Sequence, residues 1–359
     1  MPSVVSFPEP GIYFGLPDEI YHAVPALSAS GVKRMVASPM IFWATTPWLN
    51  PNPEEEEDSS FKELGKAYHA RICEGREAFY ERYAPYLIVD EYPHALNSQD
   101  DLRAKITELN AALPKEEQIK KSGTKAEMIA RIREADPNVV FWEDILEAHA
   151  AAHKGKKLIM PKQIHRIEIA AAMIEKHPQL KYAFTGGYPE VSIFWVKEGV
   201  NMKLRTDYLK IGAIVDFKTF GNQREKPVNK AVSYSVAERK YHIQVATYQE
   251  GIAAAKEMLL EQGMACVHGD PLPDEAWIEK FMKAPDPEFL FVFQQTGVAP
   301  ITRGKYFPRG LVYDIGKITL RDQREIYRKC LETYGADPWL DIAEIETFQD
   351  EEFPAFISD

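Results

Sequence analysis

Three cysteines in 359 residues, Cys73, Cys266 and Cys330, are too few and too scattered for a disulfide framework or a cysteine-held zinc site. A four-cysteine iron–sulfur cluster within one chain is excluded too, and each cysteine reads as a small buried hydrophobe. No apolar run approaches the length of a membrane span. The first 21 residues lack a basic patch followed by an apolar segment, so no secretory signal is expected and the cytoplasm is the expected location, with no membrane partner. No internal repeat is visible. Positive charge is also short: the net charge of −11 is unlike that of a nucleic-acid binder taken whole. Binding depends on local potential, however, and two stretches are locally basic. Residues 154–166 carry Lys154, Lys156, Lys157, Lys162 and Arg166 with no acid, and 218–240 carry six Lys or Arg against Glu225 and Glu238.

What is present is an ordinary globular composition, 45% hydrophobic and 27% charged, in a chain long enough for one large or two ordinary domains. Residues 51–60, with Glu54 to Asp58 after Pro51 and Pro53, read as an acidic, mobile linker. Before it, Leu27-Ser28-Ala29-Ser30 opens a short helix with Ser28 or Ser30 as N-cap and Pro39 near its end. After it, Phe61, Gly65, Tyr68 and Ile72 lie at helical spacing over 61–75. Residues 97–135 look like an insertion. Leu102, Ile106, Leu109 and Leu113 form one amphipathic helix closed by Pro114, and Met128, Ile129 and Ile132 line a second. The loop between them carries Ser122-Gly123-Thr124-Lys125. From residue 188 the pattern changes to period two, giving strands at 190–196, 202–209 and 213–219. A long helix over 241–260, a strand at 289–294 and a closing helix at 320–334 complete an α/β reading.

Chemistry concentrates in those strands. Side chains alternate along a strand, so Asp216 and Lys218 in Val215-Asp216-Phe217-Lys218 share a face. Asp207, in Arg205-Thr206-Asp207, can lie beside Asp216 after a short hairpin. Two carboxylates and a lysine in a largely apolar sheet are costly unless something binds them. A hard divalent cation such as Mg²⁺ or Mn²⁺ does so through oxygen ligands and gains further ligands from substrate phosphate. The lysine can then position or deprotonate an attacking water, or stabilise charge developing on phosphate. Asp-x-Lys alone is common, and by itself a buried ion pair or a surface hairpin explains it better.

The wider arrangement resembles the PD-(D/E)XK nucleases. Gly65-x-x-x-His69 lies well upstream on a helix, and Gln244-x-x-x-Tyr248 lies one turn apart on the helix after the strands. In order come Tyr21-His22, Leu27 to Gly31, Ser38-Pro39, Gly65 to His69, Pro189-Glu190-Val191, Arg205 to Asp207, Val215 to Thr219 and Tyr241 to Gln244. That order is similar to the RecE-like branch of these nucleases, of phage and prophage type and related to RecB and lambda exonuclease. The resemblance covers roughly residues 10–80 and 180–340. The 97–135 unit, absent from that nuclease core, resembles the SAP motif, a small DNA-binding module. It is near neutral, with eight basic against seven acidic residues.

The resemblance implies an α/β fold with a PD-(D/E)XK restriction-endonuclease-like core, a central mixed sheet flanked by helices, and a small helical SAP-like insertion. It divides the chain into 1–96 as the N-terminal part of the nuclease domain, 97–135 as the insertion, and 136–359 as the remainder, with catalytic strands in 188–219. It implies Lys218, Asp216, Asp207 and Glu190 as catalytic residues. Metal ligands would be His69, Asp207, Asp216 and the Phe217 carbonyl, holding Mg²⁺ or Mn²⁺, two ions in all. Gln244, Tyr248, Arg205, Lys125 and Lys121 would support the site or contact DNA. The implied activity is 5′-to-3′ exonucleolytic hydrolysis of double-stranded DNA ends in phage-type recombination, with a single-strand annealing protein as partner and a homo-oligomeric assembly. An endonuclease of the same superfamily and a non-catalytic DNA-binding or assembly protein on this fold are the alternatives.

Overall fold

The apolar, β-branched and aromatic runs of the second half of the chain form strands, and the periodic segments between them form helices. The computed structural model describes residues 6–53, 60–297, 299–342, 344, 345, 347 and 349. Most of the acidic 51–60 segment lies outside the described residues. The chain divides into two compact units, one of Met1–Gly65 with Ala172–Asp359 and the other of Lys66–Ala171.

The first unit holds two sheets. Five strands run in the order Thr302–Tyr306, Glu288–Gln295, Ala213–Phe220, Tyr208–Leu209, Tyr188–Pro189. The Ala213–Phe220 strand pairs in parallel with Glu288–Gln295, Asp216 facing Phe291, and antiparallel with Tyr208–Leu209. The sheet is therefore mixed. Parallel neighbours require a long crossover, and here it includes the helices Val228–Glu238, Tyr241–Gln262 and Glu275–Lys283. Glu288–Gln295 is buried at every position after the first, as expected of a strand covered on both faces. The other sheet runs Val200–Arg205, Ser192–Lys197, Gly11–Phe14, Val267–Gly269.

The 22-residue helix Tyr241–Gln262 packs on these sheets through buried Ile243, Val245, Ile252, Ala255 and Leu259. Gly251 permits the close approach: a Cβ there would stand 2.3 Å from Leu204 Cδ2 and 2.9 Å from the Trp195 ring. The helix Leu311–Tyr334 packs against it through Gly316, whose Cβ would meet the His242 carbonyl oxygen at 2.4 Å.

Several boundaries differ from those read in the sequence. The expected strand 202–209 is two strands, Val200–Arg205 and Tyr208–Leu209, in different sheets. The chain changes sheet at Thr206 and Asp207, where the Thr206 amide donates to the Val191 carbonyl and the Asp207 carboxylate accepts from the Phe217 amide. The closing helix begins at Leu311 rather than 320, because its first turns carry exposed Leu311, Val312, Ile315 and Ile318 that break the expected polar–apolar pattern. Ser28 is the N-cap of Ala29–Ala37, accepting from the Gly31 amide, and Pro39 opens the next helix under a Ser38 cap. Cys73 and Cys266 are buried and Cys330 is half-buried.

In the second unit the two helices of the 97–135 segment are Gln99–Asn110 and Lys125–Ala135. Each starts with a capping box, Ser98 with Asp101 and Thr124 with Glu127. Leu102, Ile106, Met128, Ile129, Ile132 and Phe141 form a core of their own between them. The first helix stops at Asn110, before Leu113, because the Asn110 side chain turns to clamp the loop: its Nδ2 donates to the Ile119 carbonyl at 2.9 Å and its Oδ1 accepts from the Ile119 amide at 2.7 Å.

Candidate active site

Strand pairing places the acids. Tyr208 pairs with Val215, and continuing that antiparallel register by one residue sets Asp207 opposite Asp216. Asp207 Oδ2 accepts from the Phe217 amide at 2.6 Å, which fixes the Asp207 carboxylate against the strand carrying Asp216 and Lys218. Asp216 is fully buried, and Lys218 Nζ stands 2.5 Å from its Oδ2. The two form a buried ion pair, and no donor other than Lys218 meets Oδ2. The other oxygen, Oδ1, accepts from Gln244 Nε2 at 2.6 Å. Four residues later on the same helix, the Tyr248 hydroxyl donates to the Arg205 carbonyl at 2.6 Å and so holds the end of the strand that leads to Asp207. The Gln-x-x-x-Tyr spacing thus ties one helix turn to both sides of the acidic pair.

Burial holds the Asp216 carboxyl above the usual range, Lys218 opposes this, and neighbouring Asp207 adds to it. Burial pushes Lys218 down, but the attraction of Asp216 and Asp207 more than reverses that shift, so the lysine stays a cation. Gly65 also belongs to this unit: a Cβ on it would come within 3.2 Å of Thr219 Oγ1, next to Lys218.

Glu190 takes a left-handed backbone conformation, φ 52°, and its amide donates to the Asp207 carbonyl at 3.3 Å. A non-glycine residue there is uncommon and is found disproportionately at functional sites. Its carboxylate lies 3.6 Å from Arg205 Nη1. Arg205 itself is turned inward, donating to Ser192 Oγ, Asp18 Oδ1 and the Leu16 carbonyl while stacking on Tyr21. In the second unit, His69 Nδ1 stands 3.4 Å from Glu74 Oε1. Lys125 pairs with Glu143 at 2.9 Å, and Lys121 is exposed.

One residue near Asp216 went unread in the sequence. Lys33, on Ala29–Ala37, lies 4.8 Å from the centre of the Tyr241 ring, and Lys218 lies 5.6 Å from the same ring. The signal was available: Lys33 stands between Ala29 and Val36 on an apolar helix face, where a lysine is out of place.

Residues 141–286 match the sequence profile of a family described as a PDDEXK-like domain of unknown function (DUF3799). The core has the PD-(D/E)XK fold. The matched segment contains Glu190, Asp207, Asp216, Lys218, Gln244 and Tyr248, and it supports a nuclease. The chain is also similar to a provisionally named exonuclease from Eubacterium rectale, solved by crystallography. The two are 13% identical with a TM-score of 0.38, over 84% of this chain and 80% of that one. No curated protein matches the sequence.

Proposed function

We propose that the chain is a Mg²⁺- or Mn²⁺-dependent deoxyribonuclease that hydrolyses phosphodiester bonds as a 5′-to-3′ exonuclease on double-stranded ends. The observation that supports it most is the convergence of Asp207, Asp216 and Lys218, with Gln244 fastened to Asp216. The donor set suits a hard cation: a buried carboxylate oxygen, Asp216 Oδ2, is met by the Lys218 ammonium alone, and the carboxylate of Asp207 is held beside the same strand. Asp207, Asp216 and the Phe217 carbonyl would hold the ion or ions, which would act as Lewis acids on phosphate. Glu190, its backbone bonded to Asp207, would supply a further oxygen. His69 belongs to the other unit, and its part as a ligand stays a proposal carried by the sequence motif.

Within this reading Lys218 acts as a fixed cation that orients the phosphate and stabilises charge gathering on its oxygens. Gln244 keeps Asp216 in one orientation, and Tyr248 keeps the Arg205–Asp207 turn in place. Arg205 supports Tyr21 and the Asp18 helix rather than reaching outward. Phage-type recombination, a single-strand annealing partner, a homo-oligomeric assembly and SAP-like DNA binding by 97–135 belong to the same proposal and rest on the resemblance in sequence.

The test compares linear with covalently closed circular duplex, in Mg²⁺ and in EDTA. Cleavage of the linear substrate alone, lost in EDTA, is expected. Cutting of the closed circle would make the protein an endonuclease, and no cleavage in either metal would leave a non-catalytic DNA-binding protein. Asp216→Ala should lower cleavage by about a thousandfold or more, roughly 4 kcal/mol of barrier. A folded Asp216→Ala protein that cuts normally would remove Asp216 from the site.

A further inference from the structure

We propose that Lys33 binds a backbone phosphate of the DNA strand in the active site, on the Tyr241 side of Lys218. This rests on the nuclease reading above. Lys33 is half-buried and, among the described residues, makes no ion pair and no hydrogen bond. Its ammonium and that of Lys218 both lie against the Tyr241 ring, at 4.8 and 5.6 Å from its centre. Tyr241 is itself buried and stacked on Phe291, so the ring is a fixed surface that both cations meet.

Two ammonium groups brought together in a partly dry place repel each other, and the cation–π contact returns only about 0.5–1 kcal/mol where water still reaches. Lys218 is neutralised by Asp216, whereas Lys33 has no such partner. Burial above all, then Lys218 and exposed Arg239 at the end of Val228–Glu238, hold the Lys33 ammonium below its ordinary range, and Asp216 only partly opposes them. Helix, strand and helix end therefore direct three cations to one place, where the carboxylates of Asp216 and Asp207 act chiefly on Lys218. An ammonium kept there without a counter-ion lowers the stability of the free protein and is suited to an anion that arrives later. A phosphodiester fits: it carries one negative charge, and its free oxygens accept from a lysine as a point charge.

A structural alternative assigns Lys33 to packing alone, its stem covering the apolar helix face. Two substitutions separate the alternatives. Lys33→Met keeps the stem and removes the charge, and Lys33→Arg keeps a cation. Binding of a short fluorescent duplex is measured in Ca²⁺, cleavage under single turnover in Mg²⁺, and thermal midpoints without DNA. The expected result for Lys33→Met is weaker duplex binding and slower cleavage, each by about tenfold or more, with a thermal midpoint equal to or above that of the unaltered protein. Lys33→Arg should restore most of the binding. Unchanged duplex affinity in Lys33→Met, or a fall in thermal midpoint large enough to account for lost activity, would overturn the proposal. If the unaltered protein binds duplex but does not cleave it, the nuclease reading fails, and the Ca²⁺ binding comparison still decides whether Lys33 holds phosphate.

Discussion

Gln244→Leu tests the candidate site without touching either acid. The substitution keeps the volume and apolar stem but removes the Nε2 donor that stands 2.6 Å from Asp216 Oδ1. A hydrogen bond to a buried charged group contributes about 1.5–3 kcal/mol, so the ionised form of Asp216 should lose that much stabilisation. The shape of the helix is unaffected. The Asp216 carboxyl, already raised by burial, rises further, because the lost bond favoured the carboxylate. At about 1.4 kcal/mol per pH unit, the acid limb of the pH–rate profile should move up by roughly one to two units at sub-saturating Mg²⁺. Saturating Mg²⁺, which competes with the proton, should draw it partly back. Single-turnover rates on the acid side of the limb should fall by about ten- to a hundredfold, and less near neutral pH. A folded Gln244→Leu protein with an unshifted acid limb and an unchanged rate would refute the idea that Gln244 acts through Asp216.

Gly251→Ala should destabilise the first unit by about 1–3 kcal/mol, since its Cβ would overlap Leu204 and press on Trp195; denaturant melts read this, and an unaltered midpoint would contradict the close helix–sheet contact. In the second unit the basic residues of the insertion are unequal. Arg131 donates to the Lys120 and Ser122 carbonyls, and Lys125 pairs with Glu143, whereas Lys120 and Lys121 are exposed. If the insertion binds DNA, Lys120→Ala and Lys121→Ala should each flatten the log–log salt dependence of duplex binding by about 0.9; an unchanged slope leaves the helix pair as packing or a protein-binding surface. Burial raises the Glu74 carboxyl, but hydrogen bonds from His69 and Arg82 outweigh it and hold the group at about 2, below its ordinary 4.5. Its contribution, at most about 3 kcal/mol, is then present above pH 4.5 and lost as pH falls towards 2. Glu74→Gln should therefore lower the thermal midpoint at neutral pH and reduce its acid dependence, and equal acid sensitivity in both proteins would count against the assignment.

The strand chemistry of the site was legible because it depends on a two-residue period and a short hairpin. Asp216 and Lys218 share a face for that reason alone, and the register that faces Asp207 with Asp216 follows from the tight turn between them. The Gln244-to-Tyr248 spacing was visible as one helical turn. What it holds was not, since the Asp216 bond and the Arg205 carbonyl come from strands that meet the helix only in three dimensions. The sheet change at Asp207 escaped the sequence reading although the alternation of 202–205 stops at the three polar residues Arg205-Thr206-Asp207; the hydrogen bonds to Val191 and Phe217 show that the chain leaves one sheet there for the other. Arg205 carried a charge that suggested DNA, and its partners Ser192, Asp18 and Leu16 are too remote in sequence to have been foreseen. Lys33 was hidden for a related reason: its neighbour is a tyrosine ring on a helix far along the chain.

The strand that carries Asp216 and Lys218 has neighbours of unlike origin. On one side the Tyr208–Leu209 hairpin is local and can close within microseconds. On the other, Glu288–Gln295 arrives only after the whole crossover has been made, and such distant parallel pairings form late. During synthesis the two acids can therefore meet while the phenylalanine-rich strand that completes their shelter is still missing. Until Phe289, Phe291 and Phe293 emerge, Asp216 remains hydrated, Lys218 keeps its solvent, and the exposed edge of the Ala213–Phe220 strand is open to pairing with any other chain. Maturation of the site is in this sense ordered by the ribosome: the acids come first and the dry surroundings that would give them catalytic strength come last.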